Sequence, residues 1–105
     1  MRAGSSKIHG VILQCARLDI RPGFEVEFER AFAQARPLIE RQPGLISVRV
    51  ERCIENPSRY LFLAEWKRLE DHTVDFPASP EYPEWDALLH HLYDPKPVIE
   101  HFEAR

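Results

Sequence analysis

The side chains with the most chemical promise lie between Tyr60 and Trp85. His72 stands in Leu69-Glu70-Asp71-His72-Thr73, and Phe76 follows four positions later. Helical spacing puts His72 on one stripe with Leu69, Thr73 and Phe76, facing inward. Phe62, Trp66, Phe76, Tyr82 and Trp85 supply flat rings on either side of it in sequence. An imidazole titrates close to neutral pH, so among apolar walls it is suited to take a proton from a phenolic or enolic guest. Aromatic faces fit a planar aromatic guest and keep its anion dry. Asp75, three positions beyond His72, has the spacing to orient the imidazolium. Each residue also has a plainer reading: a hydrogen-bonded structural histidine, core tryptophans, a solvated helix-face acid.

Other chemistry finds less support. His90 and His91 are adjacent, so on a helix they point about 100° apart and do not chelate together; no metal site is expected. Glu51 and Glu55 flank Cys53 and disfavour a thiolate, and no Gly-rich phosphate loop occurs. No cofactor site is expected. The formal net charge is −3, with acids and bases interspersed, which gives no basic footprint for nucleic acid. No apolar run approaches the roughly 20 residues of a membrane span. The polar start, Met1 to Lys7, lacks the apolar stretch of a signal peptide, so a cytoplasmic protein is expected. Cys15 and Cys53 read as two buried thiols, with a disulfide between them left open by the sequence, and His9 and His101 as ordinary strand or tail positions.

The elements that must position these residues follow from periodicity. With 105 residues, one domain over 10–105 is expected behind a flexible tail, 1–9. Val11 to Ile20 reads as a strand that is apolar on both faces. Pro22 suits the first turn of a helix whose apolar face is Phe24, Phe28, Ala31, Phe32, Ala35, Leu38 and Ile39. Pro37 is expected to kink that helix or end its regular part. Leu45 to Ile54 alternates, with Ile46, Val48, Val50 and Ile54 on the buried parity. Asn56-Pro57 turns the chain into a hairpin with Arg59 to Trp66. A short helix, Leu69 to Phe76, breaks at Pro77. A second begins at Ser79-Pro80-Glu81, with Ser79 as its cap, and faces inward through Tyr82, Trp85, Leu88, Leu89 and Leu92. Val98 to Phe102 is a last strand. The order β-α-β-β-α-β predicts an α+β, ferredoxin-like fold with a four-stranded antiparallel sheet and both helices on one face. The third strand is apolar on both parities, Tyr60, Phe62, Ala64 and Trp66 against Leu61 and Leu63. Its helix-free face therefore needs cover, and a two-fold homodimer packed sheet against sheet would provide it.

In order and spacing, Pro22-Gly23, Gln42-Pro43-Gly44, Arg59-Tyr60-Leu61-Phe62-Leu63 to Glu65-Trp66, Leu69-Glu70-Asp71-His72-Thr73 to Phe76, Ser79-Pro80 to Trp85 and Glu100-His101-Phe102 resemble the antibiotic biosynthesis monooxygenase family over residues 10 to 103. The resemblance implies a dimeric α/β barrel with a pocket in each subunit between sheet and helices. It implies oxygenation of a small phenolic, quinol or polyketide-like aromatic substrate by O2, without cofactor. Haem-degrading members pair a first-strand Asn with a His and a Trp; the first strand here has Gln14 and Arg17 but no Asn. Many relatives carry a His where this chain has Asp75, whereas here the histidine is His72. Two other functions suit the same pocket: a dimeric ligand-binding module without turnover, and a lactone isomerase or cyclase.

Overall fold

The structure is a computed structural model that describes residues 11–105. The tail assigned to residues 1–9 lies outside the described residues. β1 (Ile12–Asp19), β2 (Leu45–Arg52), β3 (Arg59–Trp66) and β4 (Ile99–Glu103) form one sheet in the order β2-β3-β1-β4, and each neighbouring pair is antiparallel. With α1 (Glu25–Glu40) and α2 (Tyr82–Leu89) between them, this is the ferredoxin-like α+β arrangement that the element order predicts.

Alternation divides β1 and β3 between two faces. Ala16, Leu18, Tyr60, Phe62, Ala64 and Trp66 join Phe28, Phe32, Ala35 and Ile39 of α1 and Leu89 of α2 in one core. Leu13, Cys15, Leu61 and Leu63 take the opposite, helix-free face. Arg17, Arg49, Glu51, Glu65 and Glu100 flank them there, so an apolar centre sits within a charged margin. The thiols of Cys15 and Cys53 are free but only half-buried, against the expectation of full burial. Cys15 faces away from the core by strand parity, and Cys53 lies just past the end of β2.

Several local expectations are corrected. Pro22-Gly23 precedes α1 instead of opening it. The Phe24 N–H donates to the Arg21 carbonyl at 2.9 Å, and Gly23 has φ of 90°. Pro followed by a left-handed Gly is the pattern of a type II turn. α1 runs through Pro37 to Glu40, because buried Leu38 and Ile39 hold its last turn against the sheet. Ile46 is 48% exposed, since the β2–β3 register shifts between Leu45 and Ser47 and Ile46 is the extra residue. β2 ends at Arg52, and Ile54 is exposed. Ser79 caps nothing ahead of it: its hydroxyl donates back to the Phe76 carbonyl at 2.7 Å.

Candidate active site

Between the sheet and the helices lies a cavity of about 120 Å³. β1 supplies Gln14, Ala16 and Leu18 to its wall; β3 supplies Phe62; α1 supplies Phe32 and Ile39. Phe76 and Pro77 enter from the segment after β3, and Tyr82, Trp85, Asp86 and Leu89 from α2. Tyr93, Pro97 and Ile99 close it from the approach to β4. The rings meet edge to face. Trp85 is 5.5 Å from Phe76, 6.0 Å from Phe62 and 6.5 Å from Phe32 between centroids, and Phe76 is 5.2 Å from Tyr82. Such tilted pairs are the favoured geometry for ring quadrupoles.

His72 enters on one wide turn. Asp71–Asp75 is a π-helical turn closed by the Phe76 N–H on the Asp71 carbonyl, five residues back, at 3.0 Å. The extra residue in the turn rotates the stripe expected of a regular helix. Leu69 and Thr73 are exposed, while Asp71 and Phe76 are buried and His72 is half-buried at the cavity wall. The Asp71 carboxylate anchors the turn, accepting from the Arg68 backbone N–H at 2.9 Å and from Arg68 Nη2 at 2.8 Å. Gly44 packs against that carboxylate so closely that a Cβ there would collide with it.

His72 Nδ1 lies 2.8 Å from Nε2 of His101 on β4. Burial first, and the charge of His101 second, lower the His72 pKa from 6.5 to about 4. The ring is therefore neutral at pH 7. With Nδ1 engaged, Nε2 is the nitrogen available to a guest. Asp75 does not orient it: the Asp75 carboxylate is exposed and joined to Arg68 Nη2 at 3.1 Å.

Trp66 is fully buried and is not part of the cavity lining. Its ring packs 5.7 Å from His72, and its indole N–H donates to Gln14 Oε1 at 2.9 Å. Indole has no acceptor, so it fixes the Gln14 carbonyl oxygen toward itself. Among the described residues nothing accepts from the Gln14 NH2, which leaves two donors on a side chain that lines the cavity. Asp86 lines the cavity too, half-exposed and 3.7 Å from His90 Nδ1. Burial, and then Asp86, push the Tyr82 and Tyr93 hydroxyls up from their usual pKa. Among the described residues no group of three or more His, Cys, Asp or Glu could hold a metal ion. No helix among them is long and apolar enough to cross a membrane.

Sequence reasoning thus located His72, Phe62, Phe76, Tyr82 and Trp85 around one cavity but missed Gln14 and His101. A signal existed. Gln14 shares the parity of Ala16 and Leu18, and β4 sets His101 directly opposite Gln14, so both polar residues belong to the inward face.

The profile of the antibiotic biosynthesis monooxygenases matches residues 11–87. The chain belongs to that family. The chain is 47% identical to an uncharacterised Bacillus subtilis (strain 168) protein, YczJ, over 93 residues that span 89% of this chain and 98% of YczJ. The fold is also that of a crystallised Bordetella bronchiseptica protein, a candidate antibiotic biosynthesis monooxygenase. That likeness has a TM-score of 0.87 at 35% identity and covers 91% of this chain and 98% of the other. SnoaB of Streptomyces nogalater, a cofactor-independent oxygenase, shares the fold with a TM-score of 0.80 at 23% identity, over 91% of this chain and 94% of SnoaB.

Proposed function

We propose that this family member is a cofactor-free oxygenase of one-ring phenols, with His72 as the base that ionises the guest. The observation that carries the reading is a neutral imidazole, one nitrogen free, at the wall of a ring-lined cavity. Size narrows the guest. An apolar cavity of about 150 Å³ accepts benzene, so about 120 Å³ is on the scale of one ring, with substituents directed to the open side.

The chemistry asks little of the protein beyond proton handling and dryness. His72 removes the hydroxyl proton. The electron-rich phenolate passes one electron to dioxygen, and the radical pair joins at the ring carbon opposite the oxygen. The resulting peroxide regains a proton, loses its outer oxygen as water together with the ring hydrogen, and leaves a quinone. One phenol and one O2 give one quinone and one water. In this reading the Gln14 NH2 donates to the developing oxyanion, the electrostatic role that matters most in water-poor sites.

The active form in this reading is a homodimer joined through the helix-free face. Leu13, Leu61, Leu63 and Phe102, with Phe102 50% exposed, support it, as does the dimeric habit of the family.

An oxygen electrode tests the reaction with full-length protein and 2,6-dimethylphenol, with no metal, flavin or haem added. One O2 should be consumed per quinone formed, and His72→Ala should lower the rate about 100-fold or more. Binding without uptake would make the protein a carrier; turnover that persists under argon would make it an isomerase.

A further inference from the structure

His72 and His101 open onto different spaces. His72 lines the half-open cavity between sheet and helices, whereas His101 lines a shallower groove at the edge of the sheet with Ile12, Leu69, Phe102, Glu103 and Arg105. The 2.8 Å contact from His72 Nδ1 to His101 Nε2 joins them, with ring centroids 5.0 Å apart. We infer that the two imidazoles form a proton relay, carrying the guest's proton from the cavity to His101 at the groove and returning it later in the cycle. The inference rests on His72 being the base.

Imidazole can accept at one nitrogen while it donates from the other. In the forward step the O–H bond of the phenol breaks and an N–H bond forms at His72 Nε2. The N–H at His72 Nδ1 breaks and one forms at His101 Nε2. Phenolate is left in the cavity and imidazolium at the groove. The reverse passage delivers the proton to the peroxide oxygen that leaves as water, which restores both tautomers with no net proton gained or lost. The relay answers a difficulty of the site: burial disfavours positive charge on His72, so a base acting alone would hold its proton poorly there. Passing the charge to His101 moves it toward solvent.

The surrounding charges leave the pair free to act. Glu103 and Arg105, in the groove, are joined to each other at 2.8 Å. Asp71 and Asp75, on the turn that carries His72, are both held by Arg68. Asp86 lines the cavity from α2, next to His90, and Gln14 opposite His101 is neutral. His101 is thus a positioning and relay residue behind the catalytic one.

The dye 4-nitrophenol, whose yellow anion reports ionisation, separates the relay from its premise without oxygen. On the full-length protein, bound dye should ionise at lower pH than free dye, and His72→Gln should abolish that shift. His101→Gln keeps an acceptor for the His72 Nδ1–H but cannot pass a proton on. It should raise the bound dye's apparent pKa by about one unit, with affinity for neutral dye, read at low pH, within about twofold. Unchanged ionisation in His101→Gln would overturn the relay and leave His72 as base; no shift in the unsubstituted protein would remove both. Nitrogen NMR of the dye-free, labelled protein gives a second test. The relay requires the proton of His72 on Nδ1 and a bare Nε2 on His101; the opposite tautomers would overturn it.

Discussion

At pH 7 the His72 imidazole is neutral, because burial and the neighbouring His101 hold its pKa at about 4. The same shift links folding to pH. Between pH 6.5 and about 4 the unfolded chain binds a proton at this position and the folded chain does not. Stability from His72 is therefore full above pH 6.5 and falls as pH drops through that window. Urea midpoints measured at pH 7 and at pH 4.5 should differ less in His72→Leu than in the unsubstituted protein; an equal drop in both would show that His72 is not the linked group. His72 was legible in sequence because Trp66, Phe76, Tyr82 and Trp85 cluster around it along the chain, although the stripe expected to carry it is rotated by the π-helical turn. His101 was not, because Ile99 and Phe102 put one apolar residue on each parity of β4, and only the pairing with β1 turns Phe102 out and His101 in. The i+3 spacing of Asp75 assumes a regular helix; in the π-helical turn its exposed carboxylate pairs with Arg68 instead.

The strands and α1 could be read from periodicity because burial on one face enforces it. The departures all sit where a local constraint outweighs the pattern. A bulge at Ile46 costs one residue of register. The packing of Leu38 and Ile39 carries α1 past Pro37. The π-helical turn at Asp71–Asp75 re-aims His72, and wide turns of this kind gather at functional sites. No single-residue propensity encodes that turn; its anchor is the Asp71 carboxylate seated against Gly44. Gly44→Ala should therefore destabilise the fold by about 1–3 kcal/mol, the usual cost of overpacking. It should also weaken 4-nitrophenol ionisation, because the collision displaces the turn that holds His72. A urea midpoint within error of the unsubstituted value would show that Asp71 can move aside at no cost and does not set the turn.

The fold leaves one sheet face without helices, and the chain places Leu13, Leu61 and Leu63 on it inside a margin of charge. Association through that face is predicted to be obligate. Leu61→Arg alters a half-buried site outside the core, so its effect reads assembly more than packing. In sedimentation the unsubstituted protein should run as a dimer, and the variant should lose cooperative unfolding; a stable, monodisperse variant monomer would refute an obligate dimer. The cavity, by contrast, is lined by the sheet and helices of a single chain. A crystal structure with 4-nitrophenol bound examines it most directly. The ring should lie among Phe62, Phe76 and Trp85, with the phenolic oxygen about 2.7–3.2 Å from His72 Nε2, the reach of a general base. A dye excluded from the cavity, or seated with its oxygen away from His72, would contradict the account.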